Sequence, residues 1–131
     1  NLLGTAYDLL AAVLSCEHAI GVRHGCFCAH PLMMRLLRVD DAEAHRLVEV
    51  TRAGSHERLP GAARMSLGLG STHEDIDVLA DALRSIAADG PRWTYAVDPH
   101  TDQWEPDPDP RPLPALAARL VEHPHAHGES A

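Results

Sequence analysis

The chain contains no lysine. All eleven of its basic residues are arginine, so chemistry that requires a Schiff-base amine cannot be completed by this chain alone. Aromatic residues are nearly as scarce, with two tryptophans, two tyrosines and one phenylalanine among 131 residues. Leucine, alanine and valine must therefore fill whatever core one domain of this length builds. No apolar run is long enough to span a bilayer. Leu2 to Cys16 is apolar, but it lacks a basic leader, carries Asp8 and falls short of the ~20 residues that a crossing needs. It reads as a core helix, and a membrane is excluded as a partner. The arginines are scattered singly against a formal net charge of -8, which excludes nucleic acid as well. Of the three cysteines, Cys26 and Cys28 are one residue apart, poor geometry for a structural disulfide framework, and the pattern points to a reducing cytoplasm. The chain starts at Asn1 and not at methionine, as expected of a processed protein or of a piece of a longer one.

What is present is organised around Gly21-Val-Arg-His-Gly-Cys-Phe-Cys-Ala-His-Pro31. Before it, Leu9, Leu10, Val13 and Leu14 fall at helical spacing between Ala6 and His18, with Asp8 in the favourable first turn. The β-branched Ile20 and Val22 predict a short strand. Gly25 lets the backbone bend. Pro31 pre-sets the first turn of a new helix whose apolar face is Leu32, Met33, Leu36 and Leu37. Arg23, Cys26 and Cys28 are thereby expected on a loop between strand and helix, a place where a scaffold presents functional groups.

Further on, Asp40-Asp41 caps a helix over Ala42 to Thr51 with Ala44, Leu47, Val48 and Val50 as its stripe, ended by Ala53-Gly54-Ser55. Arg52 to Gly61 reads as a mobile loop. Ala63 to Leu69 alternates, with Arg64, Ser66 and Gly68 on a polar face and Met65, Leu67 and Leu69 on an apolar one. Ser71 with Glu74, or Thr72 with Asp75, fits a reciprocal capping box. Ile76, Leu79, Ala80, Leu83 and Ile86 then continue a helix to Asp89-Gly90-Pro91. Trp93, Tyr95 and Val97 alternate like an edge strand, Asp98 to Pro114 reads as extended linker, Leu113 to Glu122 as a short closing helix, and His123 to Ala131 as a disordered tail. The expected fold class is α/β (α+β): a small domain over residues 1–91, with helices packed on a short, mostly antiparallel sheet, and an edge strand, Pro/Asp-rich linker and flexible tail over residues 92–131.

Three segments, in this order, resemble the C-terminal part of class V aminotransferases, the cysteine-desulfurase-like branch of fold-type I pyridoxal-phosphate enzymes. Gly21 to Leu32 resembles the family's Arg-x-Gly-x-x-Cys-Ala-x-Pro turn, Ala63-Arg-Met-Ser-Leu-Gly-Leu its Arg-x-Ser strand, and Ser71-Thr-His-Glu-Asp-Ile-Asp its Thr-x-x-Asp/Glu-Ile/Val-Asp helix. The resemblance implies that Cys28 is the catalytic sulfur acceptor, that Arg64 binds the α-carboxylate of an amino-acid substrate, and that Arg23 assists it or braces the loop. A guanidinium fork suits a carboxylate bidentately, and a loop can carry a thiolate to a substrate sulfur. It also implies a homodimeric parent whose large domain, upstream or in trans, holds pyridoxal phosphate on a lysine that this chain does not have; no cofactor-binding residue is expected here. Cys26 stands where these enzymes often have histidine, and Val39 to Pro60 is longer than the usual connection.

Two other functional classes fit the same residues. One is a free-standing interaction module derived from such a domain. The other is a small metal or redox protein built on His24, Cys26, Cys28 and His30, the right chemistry for zinc at a spacing too short for the usual fingers. No metal site is expected on that spacing. His123, His125 and His127 read as part of a solvated tail.

Overall fold

A computed structural model of the chain describes residues 5–54 and 59–112. These form a small α+β domain with four helices and two separate two-stranded antiparallel sheets among the described residues. The order is α1 (Tyr7–His18), β1 (Arg23–Gly25), α2 (His30–Leu36), α3 (Asp41–Arg52), β2 (Ala62–Arg64), α4 (His73–Asp89), β3 (Tyr95–Val97) and β4 (Trp104–Pro106). β1 pairs with β2 and β3 with β4. No helix among the described residues is long and apolar enough to cross a membrane.

The core lies between α1 and α4. Leu10, Val13 and Leu14 from α1 meet Ala82 and Ile86 from α4, with Ile20, Val22, Ala63, Met65, Leu79, Leu83 and Tyr95 packed around them. Both helices supply apolar residues at the 3.6-residue period that one buried face requires. α1 ends where Ala19 turns left-handed at φ 55°, and Ile20 N–H returns to the Leu14 carbonyl at 2.9 Å, satisfying a carbonyl the helix would otherwise leave open.

Sequence-readable caps set the starts of α3 and α4. Asp40 accepts from Glu43 N–H at 2.8 Å ahead of α3. Of the two possible boxes before α4, the chain uses Thr72 with Asp75: Thr72 Oγ1 accepts from Asp75 N–H at 3.2 Å and Asp75 Oδ2 accepts from Thr72 N–H at 2.8 Å. Thr72→Ala should cost about 1 kcal/mol, within the ~0.5–2 kcal/mol range of such caps. The Thr72 backbone N–H first, and the Thr72 hydroxyl donating to the same Oδ2 at 3.0 Å second, hold the Asp75 carboxyl below its ordinary pKa. A carboxyl lowered on folding stabilises fully above the unfolded value of ~4 and loses its contribution as pH falls through the folded one. Urea midpoints at neutral pH and in acid should therefore converge for wild type and Asp75→Asn in acid; an equal gap at both would contradict the assignment.

Several expectations shift. The strand is Arg23–Gly25 and not Ile20 to Val22, which turn into the core instead. The ladder of β2 stops at Arg64, because β1 offers three residues to pair with; of the apolar alternates beyond it only Met65 reaches the core, and Leu67 and Leu69 are 64% and 111% exposed. The C-terminal end of the expected mobile loop is anchored, since Tyr7 Oη donates to the Leu59 carbonyl at 3.0 Å. Residues 55–58 lie outside the described residues. Most of the expected linker from Asp98 is a hairpin: the Asp98 side chain accepts from His100 and Thr101 N–H at 2.7 and 2.9 Å, an Asx turn that reverses the chain despite its prolines and lets Val97 pair with Trp104. The expected closing helix over Leu113 to Glu122 and the tail from His123 lie outside the described residues.

Glu17 ties the hairpin to α1. Its side chain is 1% exposed, and its carboxylate accepts from Arg92 N–H, Trp93 N–H and Tyr95 Oη at 3.0, 3.1 and 3.2 Å. Burial, and then the neighbouring carboxylate, push the Tyr95 phenol above its ordinary pKa, so Tyr95 remains a donor.

Candidate functional site

The site is built on β1 and β2. Arg23 lies directly opposite Arg64 in the antiparallel register, so both side chains leave the same face of the sheet, with Cβ atoms about 4.5–5.5 Å apart. Both residues are exposed. Arg23 is therefore a strand residue, not the loop residue that spacing suggested. Among the described residues neither guanidinium has an acidic partner at ion-pair distance. Like charges directly opposed across a ladder disfavour the sheet, and an anion between them would relieve that.

From Gly25 the chain leaves the sheet through a strained turn. Gly25 has φ 114°, and Phe27 and Cys28 have φ 54° and 57°. Ala29 N–H closes the turn on the Cys26 carbonyl at 2.9 Å. Two consecutive positive φ values are the pattern of a type I′ turn, which ordinarily takes asparagine and glycine; each side-chain-bearing residue there costs about 1–2 kcal/mol. The strain has a visible product. Phe27, the chain's one phenylalanine, is placed with its ring 4.9 Å from the Arg64 guanidinium carbon, a cation–π contact. Cys28 is exposed and Cys26 half-buried, both as free thiols. α2 then starts with Pro31 in its first turn, as its fixed φ favours, and is anchored by the buried Met33.

The support beneath the turn is close-packed. A Cβ on Gly61 would lie 2.8 Å from Tyr7 Cζ and 2.9 Å from the carbonyl carbon and oxygen of Gly25, so only glycine lets β2 enter beside β1. Gly61→Ala should lose roughly 1–3 kcal/mol, because backbone atoms cannot step aside as a flexible side chain would, and should change the alkylation rate of Cys28 through Gly25. Unchanged melting and an unchanged rate would contradict that support.

Arg23, Arg64 and the Cys28 turn are thus brought together. The His-Cys-Cys-His set is not: the His24 ring lies 6.1 Å from that of Tyr7 between centroids, on the sheet face opposite Arg23, and no group of three His, Cys, Asp or Glu able to hold a metal occurs among the described residues. Phe27 was missed by spacing arguments; its position between the two cysteines was the available signal. Tyr7 and Gly61 act over a sequence separation that no local pattern reports. No family model, curated protein or solved structure matches this chain.

Proposed function

We propose that this chain supplies the small domain of a pyridoxal-phosphate-dependent class V aminotransferase-like enzyme of the cysteine-desulfurase type, contributing a carboxylate clamp and a sulfur acceptor. The observation that supports it most is the pairing of Arg23 with Arg64 beside a strained turn that exposes the Cys28 thiol. Arg64, stacked on Phe27, takes the substrate α-carboxylate bidentately, and Arg23 adds a second positive charge from the same sheet face. Cys28 accepts the substrate's sulfur. An exposed thiol at a strained position favours the desulfurase branch over a simple aminotransferase, which has no use for it.

The chain does not fit the cofactor itself. It has no lysine, so covalent anchoring falls to a large domain upstream or in trans, and none of the residues described here is assigned to pyridoxal phosphate. The parent is a homodimer acting in the cytoplasm, where thiols such as Cys16, Cys26 and Cys28 stay reduced. The exposed Leu67, Leu69, Ile76 and Val78 also suit an interaction module that covers them with another protein. A lysine-bearing domain encoded with this chain supports the enzyme, and its absence supports the module.

The clamp is testable on the chain itself. Iodoacetate carries a carboxylate and iodoacetamide does not, so the ratio of their alkylation rates at Cys28 should exceed the ratio for free cysteine several-fold, by electrostatic attraction of the kind that steers ligands. The excess should vanish in the Arg23→Ala/Arg64→Ala double variant. A ratio equal to that of free cysteine in the wild-type chain would overturn the clamp.

A further inference from the structure

The cysteine turn holds a second thiol that the proposed reaction does not use. Cys26 and Cys28 occupy the first and third positions of the turn closed by the Ala29 N–H to Cys26 carbonyl bond of 2.9 Å. Two residues span at most about 7 Å when extended, and a closed turn shortens that into the ~4.4–6.8 Å separation of Cα atoms that a disulfide bridges. The two thiols also differ in access, Cys28 being exposed and Cys26 half-buried. A reagent from solvent therefore meets Cys28 first. The third cysteine has a different partner: Cys16 sits on α1 with its sulfur 3.1 Å from Arg111 Nη1.

We propose that Cys26 is the resolving thiol for Cys28. When a hydroperoxide oxidises Cys28, the thiolate sulfur attacks the peroxide oxygen, the O–O bond breaks, and Cys28 becomes a sulfenic acid while the alcohol or water leaves. The Cys26 thiolate then attacks the Cys28 sulfur, the S–S bond forms as the S–O bond breaks, and the hydroxyl departs as water with one proton. Two thiols are oxidised and one peroxide is reduced. The same attack on a Cys28 persulfide, a case that rests on the function proposed above, would expel the outer sulfur as hydrogen sulfide and leave the same disulfide. The poor geometry that disqualifies a one-residue spacing as a structural bridge makes this one strained and readily reducible, the property of a working disulfide.

The test uses peroxide and this chain alone, so its outcome is independent of any pyridoxal-phosphate chemistry. One equivalent of hydrogen peroxide, followed by peptide mapping under non-reducing conditions, should show a Cys26–Cys28 bridge with Cys16 still a thiol, and dithiothreitol should reverse it. In Cys26→Ser and Cys26→Ala, each first checked for an unchanged melting transition, dimedone should trap Cys28 sulfenic acid at least ~10-fold more than in wild type, because a thiol two residues away acts at an effective concentration that outcompetes the trap. Equal trapping in wild type and both variants, or a bridge that uses Cys16 or a second molecule, would overturn the proposal. If either variant melts differently, the wild-type peptide map decides alone.

Discussion

Leu14→Ala should lower the stability of the domain by about 3 kcal/mol, within the ~2–5 kcal/mol range for deleting a fully buried leucine. Among the described residues Leu14 and Val13 are the largest fully buried side chains, at 0% exposure, and Leu14 sits in the core that α1 and α4 share. Tyr95, the aromatic packed on this core, is held by its hydroxyl to Glu17 and is not free to collapse into the space, so the cavity term adds to the lost transfer energy. Domains of this size hold only ~5–15 kcal/mol in reserve. The same substitution at Leu36, which is 64% exposed, should change stability by less than about 0.5 kcal/mol. Urea midpoints of the two variants measure the contrast, and comparable losses would mean that the core is not where α1 and α4 place it.

On the function proposed above, Arg64→Ala should weaken binding of an amino-acid substrate by about 2–5 kcal/mol once the chain is joined to a large domain, because one partner of a desolvated charge pair is then missing. Cofactor loading should stay nearly unchanged, since no cofactor contact is assigned to this strand. Arg64→Lys should restore only part of the affinity: an ammonium keeps the charge but loses the bidentate fork. Phe27→Ala, which frees the fork without removing it, should fall between wild type and Arg64→Ala. Titration of the substrate amino acid into each variant reads these differences, and an unchanged affinity in Arg64→Ala would remove the role given to the clamp.

The helices were legible because their signals are local. Asp40, the Thr72 and Asp75 box and the period of Leu10, Val13 and Leu14 each specify structure within one or two turns of chain. The strands were less so. β-propensity pointed to Ile20 and Val22, yet pairing is decided by register against β2, some forty residues away in sequence, and only that register sets Arg23 beside Arg64. The motif order identified Arg23, Arg64 and Cys28 as candidates but carried no geometry. That the chain turns here was legible, but the conformation of the turn was not: Phe27 and Cys28 hold positive φ without being glycine or asparagine, so the conformation comes from what surrounds them and not from their own preference. Nothing in the local sequence marks Glu17, because the donors that bury it arrive from Arg92, Trp93 and Tyr95. Asp98 was taken into a linker on its proline content, although its side chain makes the turn.

The most direct test of the sulfur-acceptor role is to locate the sulfur. The proposed enzyme, this chain joined to a lysine-bearing large domain and carrying Cys26→Ser so that the acceptor keeps what it receives, is given L-cysteine without reductant, and the peptide containing Cys28 is mapped by mass. That peptide should carry one additional sulfur atom on Cys28, and Cys28→Ala should abolish sulfur transfer while leaving substrate binding intact. An unmodified Cys28 during turnover of L-cysteine, or full sulfur release by Cys28→Ala, would contradict the role.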